Sequence, residues 1–196
     1  MTYDDLPELH YITPIENLTS IFEHGILSHE RADDIEHQSV AMDDVQERRA
    51  KVKVPGGRRL PEYVNLYFHA RNPMMYKRRG EHKELCILSV RKDVIQRDGV
   101  VITDRNASSD YVRFADGERG LEIVDRERVY AKRWTHQNPM EQLRRKSIKC
   151  AEVLVPDRID TTLVRGAYVS CKESKAAAEA AQPSLRVKVS ANLFFR

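Results

Sequence analysis

The chain has 196 residues, 41% of them hydrophobic and 32% charged, and a formal net charge of +3. That length suits one domain, residues 1–196, with a sizeable core, and the balance is that of a soluble globular protein. No apolar run reaches membrane-spanning length and the N-terminus does not read as a signal peptide, so the expectation is a cytoplasmic protein without a membrane partner.

In chain order, "LHYIT" (9–13) predicts a short strand. The stretch after it predicts a helix, with Thr13 as N-cap, Pro14 at the first helical position, Glu16 closing a capping box and Gly25 as left-handed C-terminal cap. Residues 28–60 hold few large apolar side chains and predict a long surface excursion, with a short helix near Asp43 to Ala50 and a turn at Pro55-Gly56-Gly57. "YVNLYFHA" (63–70) predicts a strand, and "NPMMY" (72–76) a helix capped by Asn72 with Pro73 next. "ELCILSV" (84–90) and "GVVITD" (99–104) predict buried strands, and residues 105–138 a polar, loop-rich stretch. "NPMEQLRRKSIK" (138–149) predicts a helix with Asn138 as cap and Glu141 in the capping-box position, followed by a strand in "CAEVLVP" (150–156). A strand at 163–170, an Ala-rich helix at 172–181 and a closing strand at 185–195 complete the pattern. Strands outnumber helices and do not alternate with them, which argues an α+β fold over a doubly wound sheet.

The three cysteines are far apart and form no CxxC, so they read as reduced thiols, and the seven histidines show no metal spacing. No P-loop, GxGxxG, HExxH or GxSxG is present, which disfavours an ATPase, a Rossmann dehydrogenase, a zinc hydrolase and an α/β-hydrolase. Basic residues cluster at 47–59, 75–83 and 141–149. Such clusters suit either solvated faces or an anion-binding surface.

The strand "CAEVLVP" carries a carboxylate in an apolar run. Alternation puts Cys150, Glu152 and Leu154 on one face and Ala151, Val153 and Val155 on the other. If the Val face is the core, Glu152 turns to a second layer or a cleft. A buried carboxylate must be solvated, paired or set where a cation binds. The strand pattern leaves open an edge glutamate paired with an arginine and a glutamate facing a cleft.

"LHYITPIENLTSIFEHGILS", "SVAMDDVQERRAKVKVPGGRRLPEYVNLYFHARNPMMY" and "RRKSIKCAEVLVPDRI" occur in an order and spacing that resemble the DarT family of DNA ADP-ribosyltransferase toxins, over roughly residues 8 to 170. The resemblance implies the ADP-ribosyltransferase split β-sheet core related to that of the PARPs, and NAD as co-substrate with no metal. It also implies single-stranded DNA as acceptor, with thymine or guanine modified, and a macrodomain antitoxin partner, DarG. It makes Glu152 the catalytic glutamate and places the essential arginine in "QERR", with Arg48 the first choice and Arg49 the second. His10, Tyr11 and Thr13 are carried over together as the NAD-binding strand, because His and Tyr are exchanged relative to the family's order. Gly25 and Leu27 match the segment that meets the nicotinamide amide. Tyr67, in preference to Phe68, would line the nicotinamide pocket, and Arg71 and Tyr76 would contact nucleotide. The acceptor region holds Arg113, Arg119, Lys132, Arg133, Trp134, His136, Arg144, Arg145 and Lys146. Basic side chains with a lone Trp suit a single strand, because charge follows phosphates and aromatics stack on bases. Two rival readings are a transferase of the same fold with an RNA or protein acceptor, and a non-catalytic nucleic-acid-binding module.

Overall fold

The computed structural model describes residues 1–33, 35, 37, 38 and 43–196, with nothing stated for the side chains of residues 43 and 44. Part of the stretch beginning at residue 39 that carries the resemblance thus lies outside the described residues.

Ten strands and seven α-helices are formed by the described residues. The first is β1 (Leu9–Pro14), followed by α1 (Leu18–His24), β2 (Ile26–Leu27), α2 (His29–Ala32) and α3 (Asp43–Ala50). Then come β3 (Tyr63–Tyr67), α4 (Pro73–Lys77), β4 (Leu85–Val90), β5 (Val101–Thr103), β6 (Phe114–Asp116) and α5 (Arg126–Tyr130). The chain continues through α6 (Pro139–Ile148), β7 (Glu152–Pro156), β8 (Arg158–Ile159), β9 (Val164–Val169), α7 (Lys172–Ala181) and β10 (Val187–Val189). Eight strands form one sheet in the order β10-β9-β4-β1-β3-β7-β5-β6, and β2 pairs with β8. Every pairing in the large sheet is antiparallel except β10 with β9. The α+β expectation therefore holds.

One junction shapes the molecule. β1 pairs with β4 along its whole length, Leu9 opposite Val90 to Pro14 opposite Leu85. β3 pairs with β7 along its whole length, Tyr63 opposite Pro156 to Tyr67 opposite Glu152. Yet β1 and β3 pair at a single position, His10 opposite Tyr67. The sheet is thus two antiparallel halves joined at one rung, and a cavity lies between the two strands that part there.

One face of the sheet packs the main core, including Leu66 and Phe68, Leu88 and Val90, and Ala151, Val153 and Val155. The other face carries two smaller clusters. One contains Ile12, Tyr67, Met75, Ile87 and Cys150, and the other Val54, Leu60, Tyr63, Val101, Ala107 and Leu154. The predicted alternation of the "CAEVLVP" strand is therefore observed, and Glu152 sits between the two minor clusters.

Several local expectations are corrected. Thr13 caps no helix: β1 runs on to Pro14, a 3-10 turn covers Ile15–Asn17, and α1 begins at Leu18. The ladder wins because the Ile15 N–H donates to the Glu84 carbonyl (2.8 Å). Glu141 closes no capping box. Asn138 caps α6 through Met140 and Glu141 N–H, while the Glu141 carboxylate pairs with Arg128 and Arg145 at 2.8 and 2.9 Å. The closing strand is short, three residues before a 3-10 turn at Ala191–Leu193. The excursion is less detached than its composition suggests. Its helix and turn form as expected, but Val54 and Leu60 are buried in the minor cluster beside Leu154. The cysteines are free, with Cys86 and Cys150 buried.

Gly25 ends α1 at φ 86°, and its N–H donates to the Ile21 carbonyl. A Cβ there would lie 2.8 Å from the Ile159 carbonyl oxygen, so both the conformation and β8 exclude a side chain. Gly25→Ala is expected to cost about 1–3 kcal/mol, or about 2–12 °C in calorimetric midpoint. Gly56→Ala, at φ 68° with no atom within 4 Å of its Cβ, should cost less.

Candidate active site

Glu152 opens β7, an inner strand of the large sheet, and is fully buried. Its backbone N–H donates to Thr103 Oγ1 (3.0 Å), whose own hydroxyl donates to the Arg105 carbonyl (2.6 Å). These bonds tie β7 to the end of β5 and fix the carboxylate on a rigid element. The carboxylate is satisfied from two sides. Ala107 N–H donates to Oε1 (3.1 Å), and the Arg49 guanidinium reaches Oε2 at 2.9 Å and Oε1 at 3.2 Å. Arg49 is itself only 6% exposed.

The structure thus brings Arg49, not the first-choice Arg48, to Glu152. Consecutive helical residues project about 100° apart, so only one of the two can face the sheet. Arg48 is exposed and lines the cavity.

The cavity has a volume of about 1340 Å³. Typical small-ligand pockets measure about 300–1,000 Å³, so this one has room for a dinucleotide-sized molecule. One wall is Tyr11–Pro14 of β1, and the other is Tyr63, Val64, Asn65 and Tyr67 of β3. Arg49 lines it, with Glu152 behind the guanidinium. On β3, Tyr63, Asn65 and Tyr67 share the face of Glu152, because Tyr67 lies opposite Glu152 and strand side chains alternate. Burial first, and then the Glu152 charge, holds the Tyr67 phenol well above its ordinary pKa, so it stays a neutral hydroxyl. Burial likewise pushes the Cys150 thiol up to about 12, which leaves it inert.

The other expected site residues divide. Tyr11, Thr13, Leu27, Tyr67, Arg144 and Lys146 line the cavity with Arg48 and Arg49. His10 does not. It is buried beside Glu8 (Nε2–Oε1 3.3 Å) and the rings of His69 and Tyr168, so of the exchanged pair it is Tyr11 that reaches the cavity. Gly25 serves as a cap outside the lining. Phe68 is in the main core. Arg71 is turned away: it donates to the carbonyls of Asn192 (3.3 Å) and Phe194 and covers the ring of Phe195. Tyr76, Arg119, Lys132, Arg133, Trp134, His136 and Arg145 also lie outside the lining. Arg145 is neutralised by Glu141 and Arg113 by Asp104 (3.1 Å).

Sequence reasoning missed the backbone N–H of Ala107 and the loop that carries it. Asn106 N–H donates to the Ser147 carbonyl (3.0 Å), and the Ser109 and Ser147 hydroxyls are 2.6 Å apart, so this loop is pinned to α6. It also missed three exposed apolar side chains at the rim, Tyr111, Met140 and Leu143. "YVNLY" did carry a signal, since its alternation puts a polar Asn between two Tyr on one face.

A split antiparallel sheet, with a fixed carboxylate behind a guanidinium at a dinucleotide-sized cavity between its halves, defines a candidate ADP-ribosyltransferase. Among the described residues no group of His, Cys, Asp and Glu is placed to hold a metal. The DarT family, described as ssDNA thymidine ADP-ribosyltransferase, matches residues 10–195. The chain belongs to this family.

A DNA ADP-ribosyl transferase–DNA ADP-ribosyl glycohydrolase fusion protein of Thermosipho africanus is 35% identical over 175 residues, 85% of this chain and 43% of the fusion. This chain therefore spans less than half of that relative. The solved Thermosipho africanus DarTG, in complex with ADP-ribose, superposes with a TM-score of 0.82 at 29% identity over 96% of this chain and 51% of that one. A DNA ADP-ribosyl transferase of Thermus sp. is 33% identical over 165 residues, 79% of this chain and 77% of that protein. The Thermus sp. DarT structure in complex with ADP-ribosylated ssDNA matches with a TM-score of 0.83 at 25% identity, over 100% of this chain and 99% of that one. That DarT has also been solved with NAD+.

Removing one partner of a buried ion pair strands the other charge, at about 3–5 kcal/mol. Arg49→Ala should therefore lower the urea midpoint sharply. Arg48→Ala, at an exposed position, should change stability by less than about 1 kcal/mol.

Proposed function

We propose that this chain is an NAD-dependent DNA ADP-ribosyltransferase that modifies a base in single-stranded DNA, thymine in the first instance, and acts as a cytoplasmic toxin. The observation that carries the reading is the Arg49–Glu152 pair at the cavity between the sheet halves. The family membership, the ADP-ribose bound by the Thermosipho relative and the ADP-ribosylated strand bound by the Thermus relative support it.

The chemistry follows from the residues. The bond between the ribose C1′ and nicotinamide breaks, and nicotinamide leaves with the bonding pair. A ring nitrogen of the base forms the new bond to C1′ and loses its proton. The transition state carries positive charge on the ribose. Glu152, fixed on β7, is placed to stabilise that charge and to hold a ribose hydroxyl. It can also assist loss of the proton from the attacking nitrogen. To meet substrate the carboxylate must be uncovered, so Arg49 turns from Glu152 toward the base or the pyrophosphate while Ala107 N–H keeps the carboxylate in place. Tyr11 and Thr13 on one wall, Tyr67 on the other and Leu27 of β2 would hold the dinucleotide.

A duplex hides the attacking nitrogen in a base pair, so an unpaired strand is the fitting acceptor. An adduct on the pairing edge would block pairing at that base, which is how the activity would be toxic. A glycohydrolase that removes it, as in the fused Thermosipho protein, is the partner such a toxin requires. No helix among the described residues is long and apolar enough to cross a membrane.

Incubation with isotope-labelled NAD and oligonucleotides, read by mass, tests the reading. Transfer to a single strand should exceed transfer to the same sequence as duplex or RNA, and Glu152→Ala should lower the rate by about a hundredfold to a thousandfold. Equal transfer to duplex, or a preference for RNA, would move the acceptor to the rival class. A Glu152→Ala protein of near-normal rate would remove the carboxylate from the mechanism.

A further inference from the structure

Outside the cavity, three aromatic rings from distant parts of the chain meet. Tyr76 comes from α4, Trp134 from the link between α5 and α6, and Phe195 from the stretch after β10. Their centres are 5.1 Å (Tyr76–Phe195), 5.7 Å (Trp134–Phe195) and 6.0 Å (Tyr76–Trp134) apart, in edge-to-face geometry. The Arg71 guanidinium lies 3.8 Å from the centre of the Phe195 ring, and that of Arg79 lies 4.6 Å from the Tyr76 ring. Lys132 and Arg133, next to Trp134, are exposed.

A cluster that only anchored the stretch after β10 would be sunk and would need no cations. This one leaves Tyr76 43% exposed. Among the described residues, no Asp or Glu side chain pairs with Arg71, Arg79, Lys132 or Arg133. The arginines of α6 and Arg113 differ, being matched by Glu141 and Asp104. Rings ringed by unmatched cations suit a ligand with alternating flat apolar faces and negative charges, which describes unpaired nucleotides.

The spacing to the cavity suits the same strand. Met74, Lys77 and Arg78 of α4 and its end line the cavity, while Tyr76 leaves from the opposite side. The two sites are therefore about one helix diameter apart, ~10 Å. Asn138, four residues beyond Trp134, lines the cavity as well, which limits the gap to about 14 Å. At ~3.4 Å per stacked nucleotide, that is about three to four nucleotides.

We propose that Tyr76, Trp134 and Phe195, with Arg71 and Arg79, form a base-stacking platform that holds the acceptor strand about three to four nucleotides outside the edge of the cavity. The proposal rests on the single-stranded DNA reading above and adds a length requirement to it.

Trp134 is the lone tryptophan of the chain, so its emission reports on the platform directly. The full chain is titrated with an eight-residue oligothymidylate, a three-residue oligothymidylate, the eight-residue strand paired to oligodeoxyadenylate, and a polyglutamate peptide. Saturable quenching is expected from the eight-residue single strand alone. Phe195→Leu, checked for an unchanged far-UV spectrum, should weaken that binding about 5- to 100-fold, the range for loss of one stacked base. It should also erase the advantage in KM of the eight-residue over the three-residue acceptor.

Absence of quenching at concentrations where the eight-residue strand is modified would overturn the platform and leave the transferase reading intact. Equal quenching by polyglutamate would overturn it too, because charge alone would then suffice. Quenching by the eight-residue strand in a chain that transfers ADP-ribose to no nucleic acid would keep the platform and sink the transferase reading.

Discussion

A carboxylate with no exposed surface, set in the middle of a sheet, has to be paired, and that need organises the loops of this protein. Glu152 lies on β7, between β3 and β5, where no sheet neighbour offers a cation. Its partners come from outside the sheet. Arg49 arrives on α3, from an excursion poor in apolar residues, and the Ala107 N–H arrives in the loop after β5. Val54, Leu60 and Ala107 bury their apolar groups around Leu154, two residues along the same strand. Ion pair and hydrophobic contact thus share one small region, and each holds the other in register.

The second constraint is the single rung between β1 and β3. A sheet continuous at that point would leave no cleft. Each strand pairs with its outer neighbour, β4 or β7, and the N–H and C=O groups on its inner side face the cavity rather than the core, where water or a ligand meets them. The cavity between them is wide and built from rigid strands, a combination suited to a long nucleotide held in one orientation. Tyr67 marks the point of parting, because its backbone stands opposite His10 on one side and Glu152 on the other.

What the sequence discloses follows from which physical rules are local. Alternation in the "CAEVLVP" strand is local and turns Glu152 away from the main core, and alternation in "YVNLYFHA" separates Phe68, inside that core, from Tyr67 on the other face. The Asn caps of α4 and α6 are local too, and both are present. Thr13 shows the limit. Its cap signal was sound in isolation, but the strand ladder through Ile15 competes for the same backbone and prevails. The choice between Arg48 and Arg49 needs the rotation of α3 about its axis, which its sparse apolar residues do not set. Ala107 contributes a backbone N–H, and every residue but proline has one, so no side chain announces it. The Tyr76–Trp134–Phe195 cluster joins positions far apart in sequence, and only the path of the chain brings them together.

A buried ion pair is a weak device for stability. Replacing it with apolar groups of like volume is often neutral or better, because both charges must be stripped of water. A fold selected for stability alone would have put Val or Leu at position 152, continuing the Ala151, Val153 and Val155 theme on the other face. On the proposed function, the carboxylate is a group held dry and immobile until a substrate takes the place of its guanidinium. In that arrangement the protein meets the desolvation cost when it folds, with Arg49 and the Ala107 N–H as offsets, and little reorganisation remains for the moment of reaction. Arg49 sits at the cavity and Ala107 behind it, so one partner can be exchanged for substrate while the other stays. An all-side-chain cage would have to open as a whole. A cage that is half guanidinium and half backbone can open on the cavity side alone, which is where a ribose would enter.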